Sequence, residues 1–151
     1  PHVSLGLSPD HLMQIYYKMA LIRGLDERAW ALNRMGKVGF VASCRGHEAA
    51  QIGSASVIRP GVDFVLPYYR DLGVVITVGL TPREQMLSLL AKAEDINTHG
   101  RQMPGHWGHA GLRIISGSSP VATQLLHAAG IAYAQTMDES ARHEAAGKMR
   151  S

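Results

Sequence analysis

The stretch from Ile114 to Gln124 constrains the fold more than any other part of the sequence. Ile114 and Ile115 are β-branched and predict a short strand. A turn rich in Ser and Gly follows, and Pro120 after it predicts the start of a helix. Such a helix start has unpaired backbone N–H groups and the positive end of the helix dipole. The stretch is therefore either an ordinary helix cap or an anion-binding site.

Hydrophobic periodicity predicts one long helix near the N-terminus. Ser8, Pro9 and Asp10 are typical of a helix start, and Gly36 is typical of a helix end. Gly24 lies inside this helix, where a residue without a side chain favours close packing of a neighbouring element. The apolar residues recur at steps of three and four and predict one buried stripe, formed by Leu12, Ile15, Tyr16, Met19, Ile22, Leu25, Ala29 and Leu32.

The remaining segments alternate between short helices, short strands and one long loop. The loop covers residues 93–111 and has no apolar periodicity, which is typical of a functional loop. The other predicted elements are a small-residue helix over 47–57 that we expect to be buried, a strand over 63–67, an apolar helix over 72–78, a helix that begins after Thr81 with a capping box to Glu84, and a small-residue helix over 125–134 followed by a polar helix or linker.

The composition excludes several classes of protein. The chain has 151 residues, of which 46% are hydrophobic, enough for one domain with a core. The net charge is only +3 and the basic residues are scattered, so we expect no nucleic-acid partner. The longest apolar run, residues 72–80, is too short to span a membrane. Cys44 is the only cysteine, so no internal disulfide can form.

Several side-chain groups could carry chemistry, and each has an ordinary structural alternative. Tyr68, Tyr69 and Arg70 follow the predicted strand 63–67, where α/β proteins bind ligands, but they could equally form a buried tyrosine pair beside a surface ion pair with Asp71. The pair His106 and His109 is a weak zinc candidate, and the pair Cys44 and His47 is a weak nucleophile candidate. A P-loop and a dinucleotide fingerprint are both missing.

Four sequence motifs, taken together, are more specific than any single one of them. They are Gly46-His47-Glu48-Ala49-Ala50-Gln51-Ile52-Gly53, Pro67-Tyr68-Tyr69-Arg70-Asp71-Leu72-Gly73, Gly100-Arg101-Gln102-Met103-Pro104-Gly105-His106-Trp107-Gly108 and Ser118-Ser119-Pro120-Val121-Ala122-Thr123-Gln124. Together they resemble the α subunit of the thiamine diphosphate-dependent 2-oxo acid dehydrogenases, the decarboxylating first component of those complexes. The third and fourth motifs are most similar to the branched-chain type.

The resemblance implies which residues bind the cofactor. Tyr69 and Arg70 match the pair that holds the diphosphate, and Arg is the natural bidentate partner of a phosphate. Tyr68 stands where the family often has Gln, and it lines the cofactor pocket. Ser119 and the backbone of Val121 match the cofactor contacts of the Ser-Pro element. This assignment favours the anion-binding interpretation of the Ile114–Gln124 stretch.

The resemblance also implies a cleft and a metal site. Gln102 and His106 match residues in the wall of the substrate cleft, to which we assign no catalytic step. Branched-chain relatives bind a potassium ion through oxygens that match Ser118, Pro120, Thr123 and Gln124, and hard oxygen donors suit such an ion. The magnesium motif of the family, Gly-Asp-Gly followed by Asn, is absent from residues 1–151.

The resemblance further implies an assembly. The catalytic His of the family lies later than the last matched motif, and the Glu that activates the cofactor comes from the β subunit. We therefore expect no catalytic residue in this chain and no turnover by the chain alone. The expected partners are a β subunit, in a heterotetramer, and a lipoyl-bearing acyltransferase, in the cytoplasm or, in a eukaryote, the mitochondrial matrix. No membrane or nucleic-acid partner is expected.

The expected fold is α/β. The chain would form the N-terminal part of a thiamine diphosphate-binding, doubly wound parallel-sheet domain, preceded by a long helical segment. Its expected divisions are 1–46 (helix and loop), 47–136 (start of the diphosphate-binding domain) and 137–151 (polar helix or linker). Three functional alternatives stay open: a non-catalytic half-subunit, a pyruvate dehydrogenase-type α subunit, and an anion-binding α/β domain unrelated to thiamine.

Overall fold

A computed structural model describes residues 3–148 of the chain, with side chains over residues 4–138. Short 3-10 helices lie at Val3–Leu5 and Ala110–Leu112. Residues 149–151 of the predicted polar segment lie outside the described residues. The α-helices are α1 (Pro9–Arg34), α2 (Glu48–Ala55), α3 (Leu72–Val78), α4 (Pro82–Leu89) and α5 (Thr123–Lys148).

The predicted long helix is confirmed, but only its second half is buried. Ser8 caps α1 by accepting a hydrogen bond from the His11 backbone N–H, as the Ser-Pro-Asp start predicts. Tyr16 is 66% exposed, so its predicted place in the core is wrong for this chain. The predicted close packing at Gly24 is also absent, because a Cβ built there would have no neighbour within 4 Å. The buried residues of α1 are Ile22, Leu25, Asp26, Ala29 and Leu32.

Helix α2 packs against α3 through its larger side chains. Gln51 and Ile52 are buried, whereas Ala49, Ala50 and Gly53 are exposed. The expectation that the small residues of α2 are buried is therefore confirmed at Ala55, which is 3% exposed, and wrong at the three exposed positions within this single chain. The close approach is instead at Gly73 in α3, where a Cβ would lie 2.5 Å from Gln51 Oε1. The small residues of α2 do not predict that the glycine at this contact lies in the neighbouring helix α3.

The two predicted strands are reduced to single bridges. Over residues 3–148 the structure contains no β-strand, so the predicted α/β class is not confirmed there. Val65 and Ile114 form one parallel bridge, in which Val65 N–H donates to Arg113 O and Ile115 N–H donates to Val65 O. A lone pair of extended segments is marginal without further strands beside it. Both bridge residues nevertheless belong to the main core.

The long loop is ordered by one buried carboxylate and one buried indole. Asp95 is 1% exposed and accepts five hydrogen bonds from Asn97, Thr98 and Gly100. Burial alone raises the pKa of Asp95, but these hydrogen bonds outweigh it and the pKa is lowered. Trp107 is 1% exposed, and its Nε1–H donates to Gln85 Oε1 on α4. The loop is therefore a fixed part of the fold that ties residues 95–108 to the core.

Helix α5 continues well beyond its predicted end. The helix expected over 125–134 runs from Thr123 to Lys148, so the helical alternative for residues 137–148 is confirmed. Ala128, Ile131 and Gln135 face a groove of about 480 Å³ beside the segment 59–66. No helix in the described part of the chain is long and apolar enough to cross a membrane. Most of the large apolar side chains on and before α5 are exposed: Val121, Leu125, Leu126, Tyr133 and Met137.

Candidate functional site

The parallel bridge brings the two candidate anion-binding segments out of the core on the same side. Extended segments that run parallel present their carboxyl ends at one edge, which is where α/β proteins bind ligands. Tyr68–Asp71 follows Val65, and Ser116–Ser119 follows Ile114, so both leave the bridge at that edge. The order of the motifs in the sequence does not by itself bring residues 68–71 and 116–119 together. They leave the core at one edge because the extended segments before them are neighbours.

The loop containing Gln102 and His106 lies between these two segments. A Cβ at Gly105 would lie 2.9 Å from the Tyr69 carbonyl oxygen, and one at Gly117 would lie 3.4 Å from His106 Cα. Gly117 N–H also donates to Trp107 O over 2.8 Å. The backbones of the three motif segments are therefore in contact through the middle one, and glycine is required at Gly105, where φ is 89° and a Cβ would be too close to Tyr69. We call these segments, residues 68–71, 102–107 and 116–124, the three-segment site.

One buried side chain, Gln51, and one half-buried side chain, Asp71, fix the turn that carries Tyr69 and Arg70. The Asp71 carboxylate accepts the Tyr68 backbone N–H over 2.8 Å, and burial raises the pKa of Asp71. The Gln51 amide donates to the Arg70 carbonyl and accepts the Gly73 N–H, both over 2.9 Å. Asp71 is thus turned inwards, and the alternative of a surface ion pair with Arg70 is wrong.

The Arg70 guanidinium has a defined direction and an unbalanced charge. Its Nη1 donates to the Ser43 carbonyl over 3.1 Å, and the guanidinium carbon lies 5.2 Å from the centre of the Tyr69 ring. In the part of the chain that the structure describes, no carboxylate forms an ion pair with Arg70. A half-buried guanidinium without an acidic partner is suited to bind an anion.

The two tyrosines form a tilted pair at the mouth of the turn. The ring centres of Tyr68 and Tyr69 are 4.0 Å apart, and both residues are half-buried rather than buried. A side-chain hydrogen bond with Tyr69 raises the pKa of Tyr68, so the Tyr68 phenol stays protonated around neutral pH. The predicted alternative of a fully buried tyrosine pair is therefore wrong, and both phenols remain accessible to a ligand.

His106 links the cleft loop to the Ser-rich segment. Its Nε2 lies 2.6 Å from Ser119 Oγ and its Nδ1 lies 3.0 Å from Met103 O. His106 is 8% exposed, whereas Ser119 and Gln102 are exposed. The structure thus brings Ser119 and His106 together directly, while Gln102 lies on the surface of the same loop.

The four residues matched to a potassium site contact one another. Thr123 Oγ1 lies 2.7 Å from Ser118 Oγ and donates to the Pro120 carbonyl, also over 2.7 Å. The Gln124 amide donates to the Ser118 carbonyl over 3.3 Å. Ala122, inside this turn, has a left-handed φ of 71°, which a non-glycine residue seldom adopts. Val121 is 68% exposed beside it, so this residue is accessible from solvent.

Two of the weaker chemical candidates do not form. Burial raises the pKa of the Cys44 thiol to about 12, and Cys44 is fully buried while His47 is exposed, so the pair cannot act as a nucleophile and base. Among the described residues, no group of three or more His, Cys, Asp or Glu side chains could hold a metal ion, so the hypothesis of a zinc site at His106 and His109 is not supported. His109 instead accepts the Leu112 N–H.

Sequence reasoning missed four residues that support the site. Gln51 and Asp71 hold the Arg70 turn, and Asp26 and Ser43 hold the loop beside its guanidinium. Asp26 could have been found, since it is an acidic residue directly next to the apolar stripe of α1. The roles of Gln51 and Ser43 depend on contacts across 19–27 residues of sequence, which no local pattern predicts.

The sequence matches a known family over most of its length. The family model described as the dehydrogenase E1 component matches residues 16–146. The chain is 52% identical over 138 residues to the 2-oxoisovalerate dehydrogenase subunit alpha of Bacillus subtilis, covering 91% of this chain and 42% of that protein. It is 37% identical over 135 residues to the mitochondrial 2-oxoisovalerate dehydrogenase subunit alpha 1 of Arabidopsis thaliana, covering 89% of this chain and 28% of that protein.

A third relative agrees with these two. The 3-methyl-2-oxobutanoate dehydrogenase subunit alpha of Mycobacterium tuberculosis is 34% identical over 139 residues, covering 88% of this chain and 34% of that protein. The chain therefore spans less than half the length of these relatives, each of which is named as one subunit of an assembly. The family is thiamine diphosphate-dependent. The match over 16–146, with the motifs gathered at one edge, shows that the chain belongs to the dehydrogenase E1 component family.

Proposed function

We propose that this chain is the first part of the α subunit of a branched-chain 2-oxo acid dehydrogenase. The whole enzyme would decarboxylate a branched-chain 2-oxo acid oxidatively and transfer the acyl group to a lipoyl group. The observation that carries the proposal is Arg70, a guanidinium without an ion-paired carboxylate among the described residues, in a turn that contacts the 102–107 loop, whose His106 in turn contacts Ser119. The identity of 52% to a relative named for 2-oxoisovalerate supports the branched-chain type.

Arg70 and Ser119 would hold the cofactor's diphosphate. Arg70 offers charged N–H donors and Ser119 offers a hydroxyl whose position His106 fixes over 2.6 Å. Tyr69 would bind beside Arg70, Tyr68 would line the pocket, and the backbone of the exposed Val121 would complete the contact. This donor set, positive and rich in N–H and O–H groups, fits a diphosphate. Thiamine diphosphate supplies the carbanion chemistry when bound, and these residues bind and orient it.

Gln102 and His106 would form one wall of the substrate cleft. Asp95 and Trp107 hold their loop rigidly, so the wall is preformed. We assign no proton transfer to either residue. Because the other walls would come from residues outside this chain, the chain contributes orientation to the reaction and no catalytic group.

The Ser118–Gln124 turn would hold a potassium ion. Hydroxyl and carbonyl oxygens of Ser118, Pro120 and Thr123 already lie within hydrogen-bonding distance of one another, and the Gln124 side chain closes the turn. We expect potassium, compared with a large organic cation, to raise the thermal midpoint of the assembled enzyme. The magnesium ligands that bind the diphosphate would come from residues beyond the sequence described here.

The chain would function only within an assembly. The Val65–Ile114 bridge would be the start of a doubly wound parallel sheet over 47–136, with 1–46 as a helical segment and 137–151 as a polar helix. The exposed apolar residues of α5 would be covered in the assembly. Partners would be a β subunit, in a heterotetramer, and a lipoyl-bearing acyltransferase. The expected location is the cytoplasm in a bacterium, or the mitochondrial matrix in a eukaryote.

The test is the substrate preference of the assembled enzyme that contains this chain. With thiamine diphosphate and magnesium, 3-methyl-2-oxobutanoate should drive reduction of an artificial electron acceptor with a higher kcat/KM than pyruvate. The 151-residue chain alone, given the same additions, should show no turnover. A preference for pyruvate would move the assignment to the pyruvate type, and turnover by the chain alone would contradict the proposed division of labour.

A further inference from the structure

We propose that Asp26 is a positioning residue for Arg70 and acts through Ser43. This inference rests on the proposed diphosphate-binding role of Arg70. It assigns a function to a buried carboxylate on α1, far from the three-segment site in sequence. The structure supports it in three steps: the burial of the Asp26 carboxylate, the hydrogen bonds of residues 43–45, and the contacts that restrain the Arg70 guanidinium.

Asp26 is a buried carboxylate that forms no ion pair with the described residues. It is 3% exposed. A carboxylate buried in this way needs strong hydrogen bonds to be tolerated. Asp26 receives two of them, from Ser43 Oγ over 2.9 Å and from the Cys44 backbone N–H over 3.1 Å. Both donors belong to the loop between α1 and α2.

Ser43 transmits this restraint to the site. Its hydroxyl donates to Asp26 and accepts the Arg45 N–H over 3.2 Å, which fixes the local backbone. Its carbonyl accepts the Arg70 Nη1–H over 3.1 Å. The adjacent Cys44 side chain is fully buried in the main core, so the loop cannot move away from Asp26 without opening the core.

The Arg70 guanidinium needs this support because the hydrogen bond that fixes the Arg70 backbone lies several bonds away from it. Gln51 holds the Arg70 carbonyl, but the side chain has several rotatable bonds beyond the Cα. Its direction is set by the Ser43 carbonyl, by the Tyr69 ring face 5.2 Å from the guanidinium carbon, and by a side-chain hydrogen bond with Tyr68. An arginine already held in its binding direction loses less side-chain entropy when an anion arrives.

The test compares neighbouring acidic residues in the assembled enzyme. Asp26→Asn and Ser43→Ala should each weaken thiamine diphosphate binding by roughly 2- to 13-fold, the cost of ordering one long side chain. The kcat at saturating cofactor should stay within about 2-fold of wild type. Glu27→Gln is the matched control, because Glu27 is the next residue and pairs with Arg45 at the surface. It should leave the cofactor dissociation constant unchanged.

A double-mutant cycle separates positioning from a general structural effect. In an Arg70→Met background, Asp26→Asn should cause no further loss of cofactor affinity, because the side chain that it positions is gone. Independent, multiplying effects of the two substitutions, or a wild-type affinity in both Asp26→Asn and Ser43→Ala, would overturn the inference. If Asp26→Asn does not fold, Ser43→Ala carries the same cycle. Failure of wild type to bind the cofactor would instead refute the proposed function.

Discussion

Replacing Gly73 with Ala tests the packing that holds the Arg70 turn in place. A Cβ at Gly73 would lie 2.5 Å from Gln51 Oε1 and 2.8 Å from Gln51 Cβ. The amide oxygen could rotate away, but the Gln51 Cβ is fixed by the backbone of α2, so the helices themselves must separate. Overpacking of this kind costs about 1–3 kcal/mol. The shift also breaks the hydrogen bond from Gly73 N–H to Gln51.

Gly53→Ala is the matched control. Gly53 also lies in a helix, but a Cβ there would meet no atom within 4 Å. Both substitutions gain a similar helix-propensity term, up to about 1 kcal/mol, so their difference isolates the steric cost. Thermal unfolding of the purified chain should give Gly73→Ala a midpoint lower than that of Gly53→Ala by about 2–4 °C for each kcal/mol. Equal midpoints for the two variants would refute the close approach at Gly73.

Three further predictions concern the core, the loop and a helix cap. Burial raises the pKa of the Cys44 thiol to about 12, so Cys44 should resist thiol reagents at pH 8 in the folded protein and react with them on unfolding. Equal reaction rates in the folded and unfolded states would show that the thiol is accessible in the folded protein. Trp107→Phe leaves Gln85 Oε1 without its donor and should lower the free energy of unfolding by about 1–3 kcal/mol, most of which the added change Gln85→Leu should restore. Thr81→Ala removes the capping box to Glu84 and should cost about 1 kcal/mol in denaturant unfolding, whereas Ser56→Ala at an exposed helix end should cost less.

The helices could be predicted from the sequence because their signals are local. Ser8, Thr81 and Glu84 cap helices through residues three positions away, and the structure has these hydrogen bonds where the pattern predicts them. The burial of the helices was predicted less well. Tyr16 on α1 and most small residues of α2 are exposed, although Ala55 is buried, because periodicity identifies an apolar face but not what covers it.

The strands could not be predicted in the same way, because their stability is not local. Residues 63–67 and 114–115 have strand-like composition, yet each contributes only a bridge among the described residues, because a strand is stabilised by neighbouring strands, which no local sequence pattern specifies. The site shows the same division. Motifs predict Arg70 and Ser119, whereas Asp26, Ser43 and Gln51 are connected to the candidate site by long-range hydrogen bonds that no local pattern predicts.

The most direct test of the central claim is a calorimetric titration of thiamine diphosphate, with magnesium, into the assembled enzyme carrying Arg70→Met. Loss of charge-assisted hydrogen bonds worth about 1.5–3 kcal/mol predicts a dissociation constant roughly 10- to 150-fold above that of wild type. Arg34→Met, an exposed arginine at the end of α1, should bind as wild type does. Wild-type affinity in Arg70→Met would contradict the assignment of the diphosphate to this edge of the fold.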